Sequence, residues 1–398
     1  METTQRPDAT AVAQRTGIAL ALSGGGFRAT LFHLGALRRM NELGVLDTLD
    51  SITSVSGGSI MAACLAKSMM AAGPTAPIDF AAMASTVYDL TSCNLLRRVL
   101  LDRLKPTHWR ASLAELTAME LANRVTGKSL ADLPAKPDFL FCATDMAFGV
   151  NWIYGRDIAG DLQAGYRRTG LNRIPIAYAT AASACFPPLF RPIDPLVSGD
   201  EFHGGVAKGP VADACRARIR LSDGGVYDNM ALEPVWKRVA TLLVSDAGGP
   251  FEFAADRGAL GDLLRYPDIM GNQARGLRKR WLIESFASGL GPGGLSGFGG
   301  TYWGTVSYRA KYDPNDTLGY SQEIATLIAN IRTDFDTFSP AERAILENHG
   351  YLMADIAIRL HVPALYGAAP PPLVIPYPEW LDPAKVRVAL ANSSKRHL

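Results

Sequence analysis

Apolar residues in this chain gather in short runs that end at glycine turns. Residues 17–23 (GIALALS) form the first run and stop at Ser23-Gly24-Gly25-Gly26, the pattern of a buried strand entering a turn. From Phe27 the residues Leu31, Leu34, Leu37, Met40 and Leu43 recur at helical spacing up to Gly44, a candidate residue for closing a helix. A second unit follows. Residues 50–55 are β-branched and strand-like, Ser56-Gly57-Gly58 is the turn, and 59–72 are apolar nearly all round, as in a buried helix.

Further strands are predicted at 139–144 (FLFCAT), 150–155 (VNWIYG), 217–222 (ARIRLS) and 241–246 (TLLVSD), with helical segments between several of them. Strands alternating with helices predict an α/β fold: three αβα layers around a mainly parallel central sheet. Residues 1–16 read as a disordered tail. One domain is expected over 17–365, with its motifs in 17–235 and a helical, glycine-rich part in 236–365. Residues 366–398, with PPP and PYP, read as an extended proline-rich segment. The glycine-rich stretch 285–304 reads as a flexible loop.

Composition narrows the function classes. Forty basic against 38 acidic residues give a net charge of +2, which offers no field for nucleic acid. The five cysteines form no CxxC pair, so neither a disulfide framework nor a zinc site is expected, and a reducing compartment fits. The polar N-terminus lacks the apolar core of a signal peptide, and no run reaches the roughly 18 apolar residues of a membrane span. A cytoplasmic protein is expected, at most peripheral at a membrane surface.

Three motifs carry chemistry. Ser54-Val55-Ser56-Gly57-Gly58, between a strand and a buried helix, has the setting of a nucleophile elbow, with Ser54 where G-x-S-x-G has its first glycine. It reads equally as an ordinary strand-to-helix turn with Ser56 or Ser59 as N-cap. Ser23-Gly24-Gly25-Gly26-Phe27-Arg28-Ala29 puts successive N–H groups at a helix N-terminus, suited to the oxyanion of an acyl transfer, to a nucleotide phosphate, or simply to a turn. The nucleotide alternative lacks the G-x-x-x-x-G-K-[ST] pattern. Arg28 either orients this loop and meets an anionic head group or is a surface charge. Asp223 ends a predicted strand and is followed by Gly224-Gly225, so it is positioned and approachable; as a base it needs a desolvated hydrogen bond to a hydroxyl.

A conventional triad also needs a histidine, and none of the six stands in a catalytic setting. His33 reads as a packing or capping residue of the first helix, His349 lies at an apparent helix end, His397 is in the tail, and His203 in its HGG loop is the best remaining candidate.

Gly24-Gly25-Gly26-Phe27-Arg28, Ser54-Val55-Ser56-Gly57-Gly58 and Asp223-Gly224-Gly225, in this order, resemble the three motifs of patatin-like phospholipases. The resemblance covers about 17–235 and includes AASACFPP at 181–188. It implies a Ser-Asp dyad without histidine: Ser56 as nucleophile, Asp223 as base, Gly24, Gly25 and Gly26 as oxyanion hole, Arg28 and Gly57 at the substrate, and neither metal nor cofactor. Ser54 and Ala29 depart from the commonest pattern, which bears on substrate preference more than on chemistry. The implied activity is that of a lipid acyl hydrolase, a phospholipase A or lipase-like esterase acting on a phospholipid or other lipid ester. A thioesterase with the same dyad, or a silent regulatory or lipid-binding protein, are the alternatives.

Two basic groups are candidates for membrane contact. Residues 274–281 combine four basic residues with Trp281, and together with the glycine-rich stretch are expected to form a mobile rim over 274–304. Arg216, Arg218 and Arg220 are expected to share one face of a strand.

Overall fold

The computed structural model describes residues 15–395 apart from 75, 198–201, 252–257, 292, 293, 295 and 368; the expected tail up to residue 14 and His397 lie outside the described residues. The apolar run after Gly17 is β1 (Ile18–Leu22), and its unbroken hydrophobicity is what a strand covered on both faces requires. It is flanked on one side by β2 (Ser51–Ser54) and on the other by a strand met much later in the chain, Thr241–Asp246.

In chain order the remaining strands are β3 (Asp138–Asp145), β4 (Val150–Tyr154), β5 (Ala159–Asp161), β6 (Gly165–Arg167), β7 (Leu221–Asp223), β8 (Thr241–Asp246) and β9 (Gly299–Gly304). The sheet runs β6-β5-β4-β3-β2-β1-β8-β9, with β7 paired to β3 off this path. Pairing is parallel from β3 through β9 along that path, and antiparallel for β4, β5, β6 and β7. The predicted α/β class with a mainly parallel centre is what forms.

Helices α1 (Gly26–Glu42) and α2 (Gly57–Ala72) start directly at the two glycine turns. Helix α1 is clamped against the helix Pro340–His361, where a Cβ on Gly35 would lie 1.9 Å from Glu347 O and one on Gly350 1.8 Å from Phe32 O. Only glycine permits backbones this close, and the contact fixes the first turn of α1, and with it the glycine loop, relative to the sheet.

Four expectations need correction. Residues 217–222 are not one strand: a helix started by Pro210 runs to Arg216, and only Leu221–Asp223 join the sheet. Arg216, Arg218 and Arg220 therefore share no strand face, and Arg216 is spent on Ala164 O and Ala207 O. The stretch 285–304 is not all loop, since β9 lies in it with Tyr302 and Trp303 buried. Its glycines serve packing: Gly300 has φ +146°, and a Cβ there would sit 2.0 Å from Leu242 O of β8. The segment 366–398 is not extended throughout, because Pro383–Leu390 is a helix that buries Val386 and Leu390 in the main core.

The basic run 274–281 lies in the helix Gly258–Ser288 and turns Arg275, Arg278 and Lys279 inward, leaving Arg280 exposed. Arg275 pairs with buried Asp246 at 2.9 Å and Arg278 with buried Asp228 at 2.8 Å. Lys279 lies over the Tyr302 ring at 4.3 Å, and Trp281 packs edge-on against Trp236. These side chains dock the helix on the sheet instead of lining a rim; residues 292, 293 and 295 of the expected rim lie outside the described residues.

Candidate active site

Ser56 sits between the end of β2 and the first residue of α2 with φ +52° and ψ −119°, a backbone conformation that a residue with a side chain adopts at a cost of about 1–3 kcal/mol. The turn is this tight because two glycines follow. A Cβ on Gly57 would lie 2.0 Å from Gly26 O, and one on Gly58 2.4 Å from Leu22 O. The Ser56 N–H donates to Ser183 O at 3.1 Å and to Ser183 Oγ at 3.0 Å. The strain is thus held by packing and hydrogen bonds on both sides of the residue.

Asp223 ends β7, the short strand that pairs antiparallel with β3, next door to β2. Its side chain is only 1% exposed. Gly225 N–H donates to Oδ1 at 2.7 Å, whereas Oδ2 is buried with no hydrogen bond. Burial pushes the carboxyl up to about 7, while the Gly225 N–H and the Ser56 hydroxyl pull the other way. The Ser56 hydroxyl is near enough to this carboxylate to lower its pKa.

The glycine turn lies against both. A Cβ on Gly24 would be 3.2 Å from Ser56 Cβ and 2.3 Å from Asn229 Oδ1, just beyond the Asp223 turn. Gly25 and Gly26 have φ +142° and +55°. The Gly24 N–H is already committed to Asn229 O at 3.0 Å, so it leaves the expected set of oxyanion donors. Among the described residues the N–H groups of Gly25, Gly26 and Gly57 have no acceptor, and the last two open helices α1 and α2.

A strained serine at a helix start, a buried aspartate beside it and a glycine nest against both lie within residues 20–236, the span matched by the family described as patatin-like phospholipase. The chain belongs to the patatin-like phospholipase family. No curated protein sequence matches it. Among solved structures, human GIVD cytosolic phospholipase A2 is similar at 14% identity, with 64% of this chain and 45% of that one covered and a TM-score of 0.41. The same human protein in complex with methyl gamma-linolenyl fluorophosphonate matches at 13% identity over 95% of this chain and 59% of that one, with a TM-score of 0.49. VipD from Legionella pneumophila matches at 14% identity over 88% of this chain and 67% of its own, with a TM-score of 0.36.

In this patatin-like chain Arg28 turns into the protein interior. It is fully buried and donates to Ala329 O, Ile331 O and Ala247 O at 2.6, 2.7 and 2.8 Å, tying α1 to two distant loops. Burial, with Arg275 nearby, lowers its pKa to about 9. His33 and His349 are equally committed. His33 bonds Ser245 Oγ and Ser23 O, with burial lowering it to about 4. His349, expected at a helix end, lies inside Pro340–His361 and bonds Thr305 O. His203 is exposed and bridged to Tyr166 at the far edge of the sheet.

The residue that sequence reasoning missed is Ser183. It ends the helix Ile176–Ser183, and its carbonyl accepts N–H bonds from both Ser56 and Gly224, at 3.1 and 3.2 Å. Its hydroxyl donates to Cys142 O and lies 2.8 Å from Ser59 Oγ, which donates to Ser54 Oγ. The available signal was a serine closing a largely apolar helix, two residues before Cys185-Phe186-Pro187-Pro188. Beside Gly225 and Asn229 opens a cavity of about 750 Å³, also lined by Phe186, Met230, Met270 and Arg278.

Proposed function

We propose that this protein hydrolyses lipid acyl esters with Ser56 as nucleophile and Asp223 as its base. The observation that carries the proposal is the strained Ser56 set beside a buried carboxylate whose Oδ2 holds no hydrogen bond. Membership of the patatin-like phospholipase family supports lipid acyl hydrolysis as the general chemistry.

In the proposed sequence Asp223 Oδ2 takes the Ser56 hydroxyl proton as Oγ attacks the acyl carbonyl. The N–H groups of Gly25, Gly26 and Gly57 receive the charge that develops on the carbonyl oxygen, each such donor being worth roughly 3 kcal/mol of barrier. The proton held on Asp223 then passes to the leaving alcohol or lysolipid, and water, deprotonated by the same carboxylate, releases the acid from Ser56. A carboxyl near 7 is matched to both halves of this cycle, since it both accepts and returns a proton near neutrality. The cavity beside Gly225 gives the substrate room next to the base.

The test is covalent labelling by a fluorophosphonate together with turnover of a phospholipid and a triglyceride. Labelling and turnover are expected to vanish in Ser56→Ala and in Asp223→Asn. Labelling that persists in Ser56→Ala overturns the nucleophile.

A further inference from the structure

We propose that the helix Leu95–Asp102 and the turn after it, as far as Arg110, form an anchor that seats the protein on an anionic lipid bilayer. It rests on reading the Ser56 site as a lipid hydrolase. Leu95 and Val99 are buried and fix the inner face of this helix, leaving Leu100 and Leu101 pointing outward. The turn adds two larger exposures, Leu104 at 72% and Trp109 at 66%. The Trp109 indole N–H donates to Leu104 O at 3.4 Å, which holds the ring over the turn.

Charge chooses the occupant. Residues 95–110 carry five basic residues against one acidic residue, Asp102, and that one is paired to Lys105 at 2.6 Å. Arg97, Arg98 and Arg110 are exposed around the leucines. Outward apolar side chains ringed by cations suit a bilayer, whose acyl boundary takes the leucines and tryptophan while its phosphates meet the arginines. A protein interface also carries a polar rim, so it is the one-sided charge, five cations against a single paired anion, that selects an anionic bilayer.

Position links the anchor to the site. Leu95 N–H donates to Phe335 O at 2.9 Å, and Phe27 N–H, just after the glycine turn, donates to Asp334 O at 3.0 Å. The Phe335 ring packs on Phe27 at 5.3 Å and on Phe190 at 6.5 Å. The loop that delivers Phe190 also exposes Phe186 and Leu189, and Phe186 lines the cavity beside the base. One short segment thus ties the anchor to the glycine turn and to the loop that carries the apolar rim.

The experiment uses the full chain carrying Ser56→Ala, so that vesicles stay intact, and measures co-sedimentation with vesicles of phosphatidylcholine alone or mixed with phosphatidylglycerol. Leu101→Ser/Leu104→Ser/Trp109→Ser is expected to weaken binding to the mixed vesicles by at least about tenfold. Arg97→Glu/Arg98→Glu/Arg110→Glu, whose exposed positions leave folding intact, is expected to lose about fivefold per charge, the factor equivalent to ~1 kcal/mol near an anionic surface, and to lose it only with phosphatidylglycerol present. Both sets, returned to Ser56, are expected to keep turnover of a water-soluble ester. Unchanged vesicle binding in both variants overturns the proposal. So does a parent dimer that these variants split in sedimentation while vesicle binding stays. Failure of the hydrolase reading shows separately, as absent soluble-ester turnover in the parent.

Discussion

Burial of Asp223 sets a pH dependence that can be worked from its surroundings. The carboxyl is lifted to about 7 by desolvation, against the Gly225 N–H and the Ser56 hydroxyl. Only the ionised form takes a proton, so the rate of fluorophosphonate labelling follows the ionised fraction: about half its plateau near pH 7, roughly a tenth near pH 6 and roughly a hundredth near pH 5. Stability moves in the opposite direction. A folded pKa above the unfolded one stabilises the fold below about pH 4, and that contribution is lost as pH rises through about 7. A displacement from 3.8 to about 7 makes the charged carboxylate cost the folded state on the order of 4 kcal/mol at alkaline pH.

Asp223→Asn keeps an oxygen for the Gly225 N–H and removes the charge. Urea unfolding of wild type and variant at about pH 8 and about pH 4 isolates the charge, because the cost of an unpaired buried amide enters at both. The variant is expected to gain up to roughly 4 kcal/mol on wild type in going from the lower to the higher pH, while labelling disappears. A labelling rate that is flat from about pH 5 to about pH 8, with a stability difference equal at both pH values, refutes the reasoning.

Three further outcomes are expected. Gly57→Ala drives a Cβ to 2.0 Å from Gly26 O and abolishes labelling, whereas Gly44→Ala, with φ +71° and open space, costs only about 1 kcal/mol in urea unfolding; full labelling of Gly57→Ala contradicts the packing of the two turns. Arg28→Met strips three backbone carbonyls of their donor and destabilises by at least roughly 3 kcal/mol; normal stability with altered head-group preference returns Arg28 to the substrate. Asp145 and Asp161 are buried with both Oδ2 atoms lacking hydrogen bonds, and burial with the Asp145 charge raises Asp161 to about 7. Asp161→Asn therefore adds on the order of 2 kcal/mol near pH 8 and much less near pH 4, and an equal shift at both pH values in thermal or urea melts sinks this.

The parallel centre of the sheet was legible because its strands are buried on both faces, so apolar runs such as IALAL and the LLV of TLLVSD declare them. The two glycine turns were legible for a related reason, since each stands where an apolar run changes from strand to helical period. Misreadings came where composition has two physical uses. Glycine in 285–304 means backbone contact between β8 and β9 rather than mobility. Alternating arginines at 216, 218 and 220 imitate a strand although a proline-started helix ends among them. The basic run at 275–279 looked exposed because its counter-charges, Asp246 and Asp228, sit on other elements and meet it only after folding.

The departure of Ser54 from the glycine of the usual elbow follows from the same folding logic. Its side chain is not a tolerated intrusion, because its hydroxyl accepts from Ser59 at 2.9 Å. Ser59 lies against the Ser183 hydroxyl, and the Ser183 carbonyl holds the N–H groups of Ser56 and Gly224 together. The backbones that carry Ser56 and Asp223 therefore hang from one residue, braced by three hydroxyls in a layer too buried for water to replace them. Such a brace is what the proposed two-residue mechanism requires. With His33 neutral and bonded to Ser245 and Ser23, no imidazole among the described residues spans a variable gap between Ser56 and Asp223, so the gap itself has to be set by the backbone. The hydroxyl layer, which reads in sequence as a few scattered serines, is the part of the site that fixes that gap.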